Sequence, residues 1–174
     1  CQSCSSGHFK ASTSTSSLKV DTCNAHSKCG AGKFTKVAGS IISQPECESC
    51  ALGLFKSFAS TSTVATDVCT AHAKCVAGKF TAKVGSSSQQ PTCQSCSSGQ
   101  FKASTSASSV HVDKCNAHNK CGAGKFTKVA GTSISQPECE SCTTGMFKSV
   151  ASTSTVATDV CTAHAKCVAG KFTA

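Results

Sequence analysis

The stretch CNAHSKCGAGKF at residues 23–34 sets Cys23, His26 and Cys29 three apart. Thiolates and an imidazole at that spacing can ligate a metal ion, and a free thiolate beside an imidazole can act as a nucleophile. The same residues also suit a stapled turn, with both cysteines bridged and His26 filling the gap between them. The stretch returns as CTAHAKCVAGKF at 69, CNAHNKCGAGKF at 115 and CTAHAKCVAGKF at 161. Four evenly spaced copies are odd for an enzyme, so no catalytic residue is expected.

Those copies belong to a longer period. Cysteines fall at 1, 47, 93 and 139; at 4, 50, 96 and 142; at 23, 69, 115 and 161; and at 29, 75, 121 and 167, always 46 apart. His26, His72, His118 and His164 keep the step, as do Asp21, Asp67, Asp113 and Asp159. The expected domains are therefore repeats at 1–46, 47–92, 93–138 and 139–174, the last ten residues short of a full period. That shortfall, and a first residue that lies inside a repeat with no signal peptide before it, read as a mature segment or a piece of a longer array. A double period of 92 overlies the first: repeats one and three match at 38 of 46 positions.

Each repeat also divides in two. Cys4-x-x-Gly7-x-Phe9 is followed by Cys23, and Cys29-x-x-Gly32-x-Phe34 by Cys47. A glycine after the first cysteine supplies the positive φ of a tight turn, and the phenylalanine is expected to lie over a disulfide as a one-residue core. Stretches such as SLKVDT and FTKVAG have the β-branched content of short strands, Asp21 and its equivalents suit turn hydrogen bonds before a cysteine, and no helical period is sustained.

If both halves close alike, the bridges are Cys4–Cys23, Cys29–Cys47, Cys50–Cys69, Cys75–Cys93, Cys96–Cys115, Cys121–Cys139 and Cys142–Cys161. Loops of about 20 residues would gain roughly 3 kcal/mol each from chain entropy. Cys1 and Cys167 are left to pair with a neighbouring repeat or another chain. Zinc is the rival: Cys1-x2-Cys4-x18-Cys23-x2-His26 has ribbon-like ligand spacing, although a Cys3His site would strand Cys29, Cys75, Cys121 and Cys167 as free thiols.

Composition bounds the rest. Sixteen cysteines in 174 residues, with nine Phe, one Met and neither Trp nor Tyr, describe small stapled units and not one large core. The fold class expected is disulfide-rich, β-poor and loop-rich: an elongated tandem-repeat rod with short strands. The net charge of +9 comes from lysines spread along the chain, which suits a solvated surface or, as a ladder, an acidic polysaccharide. There is no basic block with stacking aromatics for nucleic acid, and no run of about eighteen apolar residues for a membrane span.

Ser/Thr clusters occupy the first loop of each repeat, and such clusters in secreted chains are O-glycosylation candidates. They comprise Ser12, Thr13, Ser14 and Thr15; Ser60, Thr61, Ser62 and Thr63; Ser104, Thr105 and Ser106; and Ser152, Thr153, Ser154 and Thr155. No cofactor is expected beyond such covalent sugars.

The stretch CQSCSSGHFKAS at 1–12, with its C-x-x-C-x-x-G-x-F, and CNAHSKCGAGKFTKVAGSIISQPECESC at 23–50, with C-x-x-H-x-x-C and a closing C-x-x-C, resemble the cysteine-rich modules of tumour-necrosis-factor receptors and the related ephrin-receptor-like extracellular repeats. The resemblance runs through the whole chain. It implies an elongated ladder of small disulfide-bonded modules, bridged within each half, as the half-period also suggests. Receptor modules typically carry six cysteines and diverge, whereas these carry four and are near copies. The leading expectation is therefore a secreted structural protein at a cell surface or in a fibre, self-associating into a filament or array. A receptor-type or adhesive ectodomain is the alternative, and a zinc repeat protein the minor one.

Overall fold

The structure is a computed structural model that describes residues 1–14 and 20–169. Among these there is no helix. Seven antiparallel strand pairs follow one another along the chain. The first is β1 (His8–Phe9) with β2 (Asn24–Ala25), and the second is β3 (Lys33–Val37) with β4 (Glu46–Ser49). The two types then alternate: β5 (Leu54–Phe55) with β6 (Thr70–Ala71), β7 (Lys79–Lys83) with β8 (Thr92–Ser95), and β9 (Gln100–Phe101) with β10 (Asn116–Ala117). The series ends with β11 (Lys125–Val129) and β12 (Glu138–Ser141), then β13 (Met146–Phe147) and β14 (Thr162–Ala163).

Each pair begins at the C-x-x-G-x-F motif. Gly7 has φ 81° at the third position of the turn that the His8 N–H closes by donating to Ser5 O at 3.1 Å. This is the geometry in which a side chain would be strained and glycine is not. β3/β4 and β11/β12 carry a bulge: Thr35 faces Cys47, but Val37 faces Glu46, and Thr127 faces Cys139, but Val129 faces Glu138. SLKVDT is not a strand where it is described; its place is taken by the two-residue strand after Cys23.

One disulfide closes each pair: Cys4–Cys23, Cys29–Cys47, Cys50–Cys69, Cys75–Cys93, Cys96–Cys115, Cys121–Cys139 and Cys142–Cys161. By contact the chain forms two units. One comprises Cys1–Lys74, Thr81–Thr92 and Ala107–Val112, and the other Cys75–Phe80, Cys93–Ser106 and Asp113–Ala174.

The core is not made by phenylalanine. The fully buried side chains are Thr35, Thr81 and Thr127, Cys29, Cys75 and Cys121, and Ser60, Ser106 and Ser152, while the described phenylalanines are half-buried or exposed. A polar core is tolerable only when its groups are bonded. In the first unit, Thr35 Oγ1 donates to Ser60 Oγ at 3.1 Å, and the Ser60 N–H donates to Cys29 O at 2.7 Å. Asp67 then grips the same strand from 32 residues away: its carboxylate accepts the Thr35 N–H at 2.6 Å and its own N–H donates to Thr35 O at 3.2 Å. Lys56 Nζ completes the set, 2.5 Å from Asp67 Oδ2 and 2.7 Å from Ser60 Oγ.

The second unit repeats the arrangement with Thr127, Ser152, Cys121, Asp159 and Lys148. Asp67 and Asp159 are thus long-range clasps that lock one half-repeat onto the next, not the local turn formers their position suggests, whereas Asp21 stays local on Lys10. Lys10, Lys56, Lys102 and Lys148 are partly buried partners of Asp21, Asp67, Asp113 and Asp159, so not every lysine belongs to a solvated face.

The clasp has an acid limb. Hydrogen bonding from Lys148, then from the Thr127 N–H, lowers the Asp159 carboxyl to about 2. At Asp67 burial pushes upward, but hydrogen bonds from Lys56 and Thr35 outweigh it and leave the group below its ordinary value. A carboxyl depressed in the folded state contributes stability above its unfolded value, and loses that contribution as pH falls through the folded one. The stability difference between wild type and Asp159→Asn, followed by denaturant unfolding, is therefore expected to shrink as pH drops from about 4 to about 2.

Candidate functional site

Against this frame the C-x-x-H histidine builds the same small cleft three times. The His26 N–H donates to Gly7 O at 2.7 Å, which ties the segment after Cys23 to the glycine turn. The ring lies against Phe9, with centroids 5.7 Å apart. Nε2 is 2.9 Å from Ser40 O. A carbonyl can only accept, so Nε2 carries the proton. Nδ1 is buried without a hydrogen-bond partner among the described residues. His72 and His118 repeat this arrangement on Ser86 O and Thr132 O, each at 2.9 Å, and are themselves buried.

The rest of the cleft is held by residues that the sequence reading passed over. Gly39 sits so close to His26 that a Cβ there would lie 2.5 Å from Cε1 and 2.6 Å from Nδ1. Its N–H donates to Thr63 O at 2.8 Å, fixing the backbone. Gln44 Oε1 accepts the Ser27 N–H at 2.9 Å and its Nε2 donates to Ala25 O at 3.3 Å. That pins the loop in which Ser40 pairs with Ser43. Gly39, Gly85 and Gly131, and Gln44, Gln90 and Gln136, all keep the step of 46; that periodicity was the signal available.

In repeat two the cleft is about 220 Å³ and is bounded by the turn Cys50–Leu54, by His72 and by residues 85–87. In repeat one the corresponding space is about 300 Å³, with His8, Ile41 and Val64 on its walls. In repeat three it is about 110 Å³, with Gln100, Ser133 and Val156. No lysine or carboxylate lines any of the three.

A second surface feature lies in repeat two. Phe58 and Val68 are 80% and 78% exposed and share a shallow depression with Phe55 and Ala59.

Several expectations are corrected by this geometry. Cys4 and Cys23 are bonded to each other, so the rival Cys3His zinc set has lost two of its thiolates. No group of three or more metal-ligating side chains occurs among the described residues. Ser60, Ser106 and Ser152 are buried at 1–2% exposure inside the clasp, leaving no room for a sugar. Ser62 and Ser154 are half-buried and accept the N–H of Val64 and Val156, and Thr63 and Thr155 are half-buried beside them. Ser12, Thr13, Ser14, Thr61, Ser104, Thr105 and Thr153 are exposed, and Thr15 lies outside the described residues. Cys1 and Cys167 are free and exposed. Among the described residues no helix is long and apolar enough to cross a membrane.

No family model and no curated protein matches the chain. Among solved structures it is similar to a human RANKL/OPG complex, with a TM-score of 0.36 and 19% identity over 84% of this chain and 79% of that one. It is also similar to a mouse RANKL-OPG complex, with a TM-score of 0.37 and 17% identity over 85% and 96%.

Proposed function

We propose that this chain is part of a receptor-type ectodomain that binds a protein partner in an oxidising, extracellular setting. Structural disulfides persist in such compartments, and the fold consists of them. The observation that carries the reading is a contrast between copies. Repeat two exposes Leu52, Phe58 and Val68 at 85%, 80% and 78%. At the same positions repeat one has Ser6, Ser12 and Thr22, and repeat three has Ser98, Ser104 and Lys114. The module folds with polar residues there, so the apolar ones are not required by the fold. Exposed apolar clusters on a rigid frame are the usual anchors of protein interfaces.

The test is to screen the chain against secreted and cell-surface proteins of its own organism, beside the variant Phe58→Ser/Val68→Thr, which installs the residues of repeat one. A partner whose affinity falls at least about 30-fold, the factor that corresponds to about 2 kcal/mol at an interface anchor, supports the reading. The absence of a partner, or an unchanged affinity, overturns it.

A structural array is the second reading, favoured by the near identity of repeats one and three and by the clasps of Asp67 on Thr35 and Asp159 on Thr127, which bind neighbouring half-repeats. In it Cys1 and Cys167 link to neighbouring segments, and O-glycans occupy exposed hydroxyls such as Thr13, Thr61, Thr105 and Thr153. Concentration-dependent association in sedimentation, undiminished by Phe58→Ser/Val68→Thr, is its signature. An acidic polysaccharide would be bound through unpaired lysines and released by salt.

A further inference from the structure

Near-identical copies reveal by their differences which surface has been varied. Repeats two and four share 36 positions and differ at four of them: Ala51/Thr143, Leu52/Thr144, Leu54/Met146 and Phe58/Val150. The first three of these line the histidine cleft of repeat two. Repeats one and three differ at eight positions. Three of those, His8/Gln100, Ser40/Thr132 and Ile41/Ser133, line the same cleft in their own copies. The frame around it is unchanged: the turn glycine and the histidine in all four copies, the facing glycine and the clamping glutamine in repeats one to three. An invariant frame with a variable lining is the arrangement of a recognition site.

The chemistry of the lining names the occupant. In repeat two Ala51, Leu52 and Leu54 form the variable wall, and no charged side chain reaches it although the chain carries +9 overall. The carbonyls of its loop are already used: Ser86 O accepts from His72 Nε2 at 2.9 Å, and Ser87 O from the Lys56 N–H at 2.8 Å. His72 Nδ1 is buried. A charged or strongly polar ligand would lose its water there and find few free partners, whereas an apolar one gains by burial against Leu52, which is 85% exposed.

Resting on the ectodomain reading, we propose that the cleft of repeat two seats one uncharged apolar side chain of the protein partner. The corresponding clefts of repeats one and three seat different side chains, so that the variable residues set specificity module by module.

The test uses the full chain, isotope-labelled, and N-acetyl-leucine N-methylamide as the probe, with N-acetyl-lysine N-methylamide as the charged control. Saturable NMR shift changes at Leu52, Leu54, His72 and Ser86 are expected with the leucine probe alone. Its affinity should fall at least about 10-fold in Ala51→Thr/Leu52→Thr/Leu54→Met, which puts at these three positions the residues that repeat four already carries. An absence of saturation at these residues, equal response to the lysine probe, or unchanged affinity in the triple variant overturns the proposal. So does a partner found through Phe58 and Val68 that binds the triple variant as tightly as wild type. That result would leave the ectodomain reading standing, whereas failure of the Phe58/Val68 assay overturns that reading and not the probe's cleft.

Discussion

Gly39→Ala should displace the His26 ring and lower stability by roughly 1–3 kcal/mol, the usual cost of forcing a methyl group into a filled site. The new Cβ would sit 2.5 Å from the ring's Cε1 and 2.9 Å from Thr63 O. The carbonyl cannot retreat without losing the Gly39 N–H, so the ring must move. When it moves, Nε2 leaves Ser40 O and the face against Phe9 opens. Gly39 is not in the left-handed region, so the cost is steric and not conformational. Gly30→Ala is the control: nothing lies within 4 Å of its added methyl. It should be neutral, or stabilise by up to about 1 kcal/mol through the unfolded chain. Denaturant unfolding gives the stabilities and the His26 ring resonances give the displacement. If both alanines behave alike, the glycine–histidine contact does not hold the cleft.

Removal of Cys29–Cys47 by double alanine substitution should cost about 3 kcal/mol in chain entropy alone for its sequence separation of 18. Further loss comes from the core, because Cys29 is buried beneath Thr35 and its carbonyl receives the Ser60 N–H. Removing Cys4–Cys23, with a separation of 19, forfeits nearly the same entropy. Its sulfurs are only half-buried, so the damage should be milder. Hydrogen exchange distinguishes the two. Loss of Cys29–Cys47 should expose residues 29–50 together with the clasp residues 56–67, while loss of Cys4–Cys23 should expose residues 4–26. Equal and uniform exposure from either variant would mean that the clasp does not couple neighbouring half-repeats.

These outcomes depend on features of very different legibility. The period of 46, the half-period of C-x-x-G-x-F, the absence of helix and the glycine turns are properties of short local stretches. A turn glycine and the cysteine beside it act over a few residues, so the sequence states them directly. The role of the threonines does not show locally. Thr35 is one hydroxyl among many in a Ser/Thr-rich chain, and it becomes core because Asp67 and Ser60 reach it across 32 and 25 residues. The phenylalanines looked like the natural core and are not: successive side chains of β3 point to opposite faces, and Thr35, bonded to Ser60, takes the inner one while Phe34 stays half-buried.

The Ser/Thr clusters make the same point. The tripeptide AST occurs at 11–13, 59–61, 103–105 and 151–153, and read as a string each copy is an equal candidate for a sugar. Within the repeat frame, however, the second and fourth copies are displaced by two residues from the first and third. Ser12 and Ser104 therefore face solvent, while Ser60 and Ser152 fill the clasp. The sequence determined the units, their spacing and their turns, because those arise from neighbours along the chain. Only the tertiary structure decided which hydroxyls are buried, which aspartate holds which strand and where the copies differ on a shared cleft, because those depend on what arrives from the next half-repeat.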